Sequence, residues 1–145
     1  MLNTLFYFFR FIWELPQNLL GMIIYILQKH KIISIRKIDG RFYFKNGNFG
    51  ISLGSFIFWM PLLSDNNSDF PRVMKHEFGH SVQSFYFGPL YLLIIGIPSI
   101  LRVLYSKIFL KVKKQAWQNY YKGYPENWAN TLGEKHYKKL PIQKI

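Results

Sequence analysis

At 145 residues the chain has the length of one domain, with apolar material for one real core but not for two. Half of its residues are hydrophobic, and 19 Lys/Arg against seven Asp/Glu leave a formal charge of +12, a balance that suits an anionic partner such as a membrane surface or a nucleic acid. The absence of cysteine excludes a disulfide framework and a Cys-type zinc site.

Residues 2–28, LNTLFYFFRFIWELPQNLLGMIIYILQ, are almost wholly apolar, interrupted by Arg10, Glu14, Pro16, Gln17 and Asn18. As helix they would measure about 40 Å, enough to cross a hydrocarbon layer of about 30 Å with tilt. Arg10 and Glu14 stand one turn apart and partly neutralise each other, while Pro16 either kinks the helix or opens a second one. Two forms stay open: one kinked span, or two short segments, 3–14 and 16–28, dipping into a bilayer. The competing reading is a pair of buried core helices in a soluble protein. With no basic n-region and no small-residue cleavage site, the segment does not read as a cleaved signal peptide. Residues 1–9 carry no Lys or Arg, whereas Lys29, Lys31, Arg36, Lys37, Arg41 and Lys45 follow, so a single span would put the remainder on the cytoplasmic side.

Residues 32–38, then Asp39-Gly40, then residues 41–45 predict a β-hairpin on an Asp-Gly turn. Asn46-Gly47-Asn48 is a second turn, and 49–59 is expected as a third strand of a small antiparallel sheet, loosened by Gly50 and Gly54. Such a sheet would cover the helix that follows, and its edge would be open to an extended peptide by β-augmentation. Residues 62–69 read as a polar loop, with Ser68 or Asp69 capping a helix that has Pro71 in its first turn and runs to about Phe85.

That helix carries His76-Glu77-Phe78-Gly79-His80, an H-E-x-x-H pattern. At about 3.6 residues per turn, His76 and His80 stand one above the other and can grip one metal ion, while Glu77, rotated by about 100°, is placed for a water beside that ion. A histidine on a helix is more often core or surface than ligand. With four His and four Glu in the chain, however, chance gives this pattern in roughly three such chains per thousand. Phe78 can face the core, and Gly79 lets a neighbouring element approach closely.

Residues 87–105 are the second apolar stretch. Gly88-Pro89 and Gly96-Ile97-Pro98 cut it into pieces too short to span a bilayer, with Ser99 expected to cap a further helix carrying Arg102, Lys107 and Lys111, with Lys113 and Lys114 at its end. It is expected as a re-entrant or surface-lying hairpin, or as buried core. In the tail, Pro125 followed by Glu126 through Leu132 predicts a short helix stopped at Gly133.

Two histidines are too few for a catalytic zinc site, which usually takes three protein ligands. Positions 83 and 86 are Gln and Tyr, so a nearby third His is absent, and the candidates downstream are Glu126, Glu134 and His136. Glu126 is preferred because Asn130 lies one turn further on and can hold the remaining ring nitrogen of His76, and because Ala129 is small enough to let two helices close. Tyr120, Tyr121, Tyr124 and His136 are candidates for an oxyanion donor, none of them assigned.

His76-Glu77-x-x-His80 followed by Glu126-x-x-Ala129-Asn130 resembles the gluzincins, zinc peptidases with Glu as third ligand. The likeness is to small and membrane-bound members such as the CAAX-processing and heat-shock membrane endopeptidases and the minigluzincins. Their tail motif is usually E-x-x-A-D, from which Asn130 departs. The resemblance implies one Zn2+ held by His76, His80 and Glu126, Asn130 supporting a ligand, and Glu77 as general base and then acid in peptide hydrolysis.

The expected architecture is α+β: a minimal zincin-like domain over residues 31–145, with the hydrophobic insertion at 87–105, behind hydrophobic helical segments in 1–30. The expected function is a membrane-associated zinc metallopeptidase acting on a peptide or protein substrate at a lipid surface. The alternative is a metal-binding but non-proteolytic cationic membrane protein acting through interactions. Nucleic acid is not an expected partner, because the basic residues are scattered and no recognition module is present.

Overall fold

The computed structural model describes residues 2–62 and 71–140. Among these residues the fold is α+β, with five α-helices and a four-stranded mixed sheet. Helices α1 (Leu2–Trp13) and α2 (Leu15–Gln28) meet in a kink at Glu14. Helical hydrogen bonds still cross it, from the Glu14 amide to the Arg10 carbonyl and from the Asn18 amide to the Glu14 carbonyl, both 3.0 Å. Pro16 sits in the first turn of α2, where its missing N–H breaks no bond. The polar residues face the body: Arg10 is 3% exposed and Glu14, Gln17 and Asn18 are 0%, whereas Phe8, Phe9 and Leu27 are 59–64% exposed. Positions 10, 14, 17 and 18 lie on one helical face. The pair thus turns its polar residues inward, alongside Phe11, Ile24 and Tyr25, and leaves much of its apolar surface exposed.

Strands β1 (Ile32–Ile38) and β2 (Arg41–Asn46) form the expected antiparallel hairpin. Asp39 and Gly40 both take positive φ, 50° and 66°, as a two-residue turn matched to strand twist requires. Residues 49–59 depart from the expected single strand. They fold into β3 (Ile51–Leu53) and β4 (Phe56–Trp59), antiparallel to each other around Gly54 at φ 62°. Asn18 holds that turn from outside, its Oδ1 accepting the Ser55 amide at 2.7 Å. Because β4 inserts between β2 and β3, the order is β1-β2-β4-β3 and β2 pairs with β4 in parallel, so the sheet is mixed rather than antiparallel.

Strand alternation gives the sheet two buried faces. Phe44, Phe56 and Phe58 pack with Phe11, Ile24 and Tyr25 of the N-terminal helices. Tyr43, Ile57 and Trp59 pack with Met74, Phe78 and Val82 of α3 (Arg72–Phe87) and Leu132 of α5 (Glu126–His136). The polar loop and the caps assigned to Ser68 and Asp69 fall outside the described residues. Pro71 is the N-cap rather than a first-turn residue, and α3 continues two residues past Phe85. Its end at Gly88, φ 49°, lies against the Trp13 ring, whose Nε1 donates to the Phe85 carbonyl at 2.8 Å.

The segment expected to be cut into short pieces is instead one helix. A π-turn over Leu92–Gly96 runs straight into α4 (Ile97–Lys113). Pro98 cannot donate to the carbonyl one turn back, Ile94, and that carbonyl accepts the Tyr124 hydroxyl at 2.7 Å. Ser99 therefore lies inside a helix and caps nothing. By length and composition, Leu92–Lys113 is the one helix among the described residues that could cross a membrane; its 22 residues measure about 33 Å. Gly133 likewise does not end α5, which continues to His136; it faces the Lys75 carbonyl across the α3–α5 contact.

Candidate metal centre

Helix α3 is buried on nearly every side between Met74 and Ser84, so each of its polar side chains needs a partner inside the protein. Ser81 accepts from Arg41 Nε at 2.6 Å and donates to the Gly54 carbonyl at 2.7 Å, and Ser84 accepts from Gln17 at 2.9 Å. On a different side of the helix, the rings of His76 and His80 stand 4.7 Å apart and nearly perpendicular. Helix α5 crosses α3 with its first residue at these rings. The crossing is close because Gly79 lies against the Ala129 backbone, where an added Cβ would overlap the Ala129 carbonyl.

Glu126 is fully buried, and its Oε2 lies 3.0 Å from His76 Nε2 and 3.3 Å from His80 Nε2. The other ring nitrogens are engaged. His76 Nδ1 lies 2.8 Å from Asn130 Oδ1, and His80 Nδ1 lies 2.7 Å from Gln83 Oε1. Gln83 decides the tautomer of His80. Its amide nitrogen donates to the Pro125 carbonyl at 3.1 Å, so its oxygen must face the imidazole and accept the Nδ1 proton. A neutral His80 then points the Nε2 lone pair at a carboxylate oxygen.

Three electron-pair donors aimed at one another are repulsive unless something positive lies between them. Protons on the imidazoles would serve, at the cost of burying charge; a divalent cation would serve with both rings neutral. One ligand atom from each of the three residues lies within 4.8 Å of the other two. Tetrahedral ligands at about 2.0–2.1 Å from an ion would sit about 3.3 Å apart, close to the separations from Glu126. The donor types, the His80 tautomer and the two separations from Glu126 are therefore those of a group that could hold a metal ion.

Burial would raise the Glu126 carboxyl, but where protons rather than a cation fill the site, hydrogen bonds from protonated His76 and His80, together with that from Ser99, outweigh it and hold the group well below the usual carboxylate range. The Ser99 hydroxyl donates to Glu126 Oε1 at 2.6 Å. Glu77, one position round the helix, has its carboxyl pushed up, chiefly by burial and with Glu126 adding to it. Gly50, just before the edge strand β3, approaches this carboxylate so closely that a Cβ there would lie 2.5 Å from Glu77 Oε1.

The other ligand candidates lie elsewhere. Glu134 makes an exposed ion pair with Lys75 at 3.7 Å. His136 lines a groove with Arg10, Asp39 and Arg41, beside Phe78 and Val82 on another side of α3. Of the tyrosines, Tyr124 is committed to Ile94, and Tyr121 stands edge-on to His76 at 5.2 Å. Two supporting residues escaped sequence reasoning. Gln83 follows His80 by three positions on the same helical face, a readable signal. Ser99 is 27 residues from Glu126 with no local signal at all. Compared with known proteins, the chain matches no family model, no curated protein and no solved structure.

Proposed function

We propose that the chain is a membrane-associated, zinc-dependent peptidase of minimal zincin-like organisation, in which His76, His80 and Glu126 hold one Zn2+ and Glu77 is the general base and acid. The observation that carries this reading is the convergence of both Nε2 atoms on Glu126 Oε2 while both Nδ1 atoms are already engaged. A divalent ion held there would act as a Lewis acid toward water and a peptide carbonyl. Glu77 belongs to the same helix but is turned off the ligand axis. Beside such an ion it would be the group that takes a proton from water and returns it to a leaving amine. Within β3 the edge is covered, Ser52 and Leu53 being buried and the Ser52 carbonyl accepting the Tyr91 hydroxyl, but Gly50 just before it is exposed beside Glu77, so a peptide backbone lying against Gly50 would pass the carboxylate.

Membrane association is supported by the exposed apolar surface of α1 and α2, whose polar residues are turned inward, and by the exposed apolar helix Leu92–Lys113. Were residues 2–28 to cross a bilayer once, the basic residues 29–45 beyond them would put the site on the cytoplasmic side.

The test is peptide cleavage by vesicle-reconstituted protein before and after metal removal. Chelation is expected to abolish cleavage, and one equivalent of Zn2+ to restore it. Cleavage that survives chelation contradicts the assignment. A stoichiometric ion without cleavage of any peptide would leave the non-proteolytic alternative.

A further inference from the structure

The chain between α4 and α5 reaches both helices of the metal centre, and one side chain of α4 holds it in place. The Arg102 guanidinium donates from Nη2 to the Asn119 carbonyl at 2.6 Å and from Nε to the Tyr120 carbonyl at 3.0 Å, and it stands 4.7 Å from the centre of the Trp117 ring. Trp117 is fixed in turn by Tyr105 of α4, edge-on at 4.7 Å. Gly123 passes so close to the guanidinium that an added Cβ would overlap it. The segment needs such a hold, because Tyr120–Lys122 is a single 3-10 turn, too short to keep its own shape. Two of the three ligands depend on where it lies. The Tyr121 ring stands edge-on to His76 at 5.2 Å, and Tyr120 stands edge-on to Tyr121 at 4.7 Å. The Gly123 carbonyl accepts the Asn127 amide at 3.1 Å, in the first turn of the helix that Glu126 opens. Among the described residues Arg102 itself hydrogen-bonds neither His76 nor Glu126.

We propose that Arg102 is a positioning residue for the metal centre: its guanidinium fixes residues 117–123 so that Tyr121 holds the His76 ring and Glu126 begins α5 opposite the two histidines. The inference rests on the metal reading above and adds a point of control on a third helix. The bonding of the side chain argues for placement rather than for charge pairing. Each of its hydrogen bonds goes to a main-chain carbonyl, so it neutralises no carboxylate. A planar fork reaches two successive carbonyls and still presents its flat face to an indole, whereas an ammonium supplies the charge without that geometry. His76 needs the support that results. Its one hydrogen bond at Nδ1, to Asn130, leaves the ring free to rock about that bond, and the Tyr121 ring beside it removes the freedom. Glu126 needs it too, because the first residue of a helix takes its place from the chain that enters it. That chain is held at Gly123 by Arg102 and at Pro125 by Gln83, which itself holds His80.

The experiment measures the zinc affinity of the full chain, by competition with a fluorescent chelator, and the visible spectrum of the same preparations saturated with Co2+. Arg102→Ala is expected to bind zinc about tenfold more weakly than wild type and to show altered Co2+ ligand-field bands. Arg102→Lys is expected to stay weak, because charge alone does not rebuild the fork. Tyr121→Ala should weaken zinc by a smaller factor, and adding it to Arg102→Ala should cost nothing further, since both act on His76 along one path. Phe58→Leu, on the sheet face turned toward the N-terminal helices, separates placement from general loosening: it should lower the denaturation midpoint and leave both metal readouts unchanged. The assignment is overturned if Arg102→Ala keeps the wild-type affinity and spectrum, if Arg102→Lys restores both, if the Arg102 and Tyr121 losses multiply, or if Phe58→Leu loses as much affinity as Arg102→Ala. Any of these, with zinc still bound by wild type and lost in His76→Ala, overturns this inference alone. A wild-type chain that binds no zinc removes the metal centre with it.

Discussion

Glu77→Gln is expected to lower peptide hydrolysis by roughly 10²–10⁴-fold while zinc content stays at the wild-type level. The amide keeps the shape of the carboxylate and its place beside Gly50, but it cannot take up a proton at working pH. Metal is retained because Glu77 is turned about 100° from the side of α3 that carries His76 and His80. Stability should not fall either, since the substitution removes a buried carboxyl group that burial and Glu126 both disfavour in its charged form. Zinc analysis, peptide turnover and thermal melting of the same preparation check the three parts. A variant that keeps turnover would exclude Glu77 as the base, and one that loses zinc would make it a ligand.

Gly79→Ala is expected to lose both stability and metal affinity, although alanine is the better helix former. The added Cβ would overlap the Ala129 carbonyl, and the next atoms it meets are also Ala129 backbone, so no side-chain rotamer relieves the contact. α3 and α5 must then separate. Overpacking of this kind costs about 1–3 kcal/mol or more, against about 1 kcal/mol gained in helix propensity. Because the same crossing sets Glu126 against His76 and His80, the ligands part as the helices do. Denaturant midpoints and zinc affinity should fall together. Gly96→Ala is the control: its nearest neighbours would lie 3.7 Å away, so the same chemical change should be neutral or stabilising there. Equal behaviour of the two variants would mean that the crossing is not under this constraint.

What could be read beforehand follows from how local the determining interactions are. The Asp39-Gly40 hairpin needs only its own two turn residues, and the pairing of His76 with His80 needs only one turn of helix. The inward face formed by Arg10, Glu14, Gln17 and Asn18 was also legible, since their spacing is helical, but average hydropathy over residues 2–28 hides it. The turn at Gly54 was not legible as a chain reversal, because the group that holds it is Asn18, 37 residues before Ser55. Nor was the continuity of Leu92–Lys113. Gly96 and Pro98 are ordinary helix breakers, and the carbonyl that Pro98 leaves without a donor is satisfied by Tyr124, 30 residues on from Ile94. Glu126 and Asn130 were found because they are one turn apart. Ser99, which holds the other oxygen of Glu126, has no such spacing to give it away.

X-ray absorption at the zinc edge, comparing the reconstituted wild-type chain with Glu126→Ala, reads the first coordination shell itself. The expected wild-type shell contains two imidazole nitrogens and one carboxylate oxygen at about 2.0–2.1 Å, and Glu126→Ala should lose the ion or the oxygen contribution. A wild-type shell without two imidazoles, or an unchanged shell in Glu126→Ala, would contradict a metal centre built from His76, His80 and Glu126.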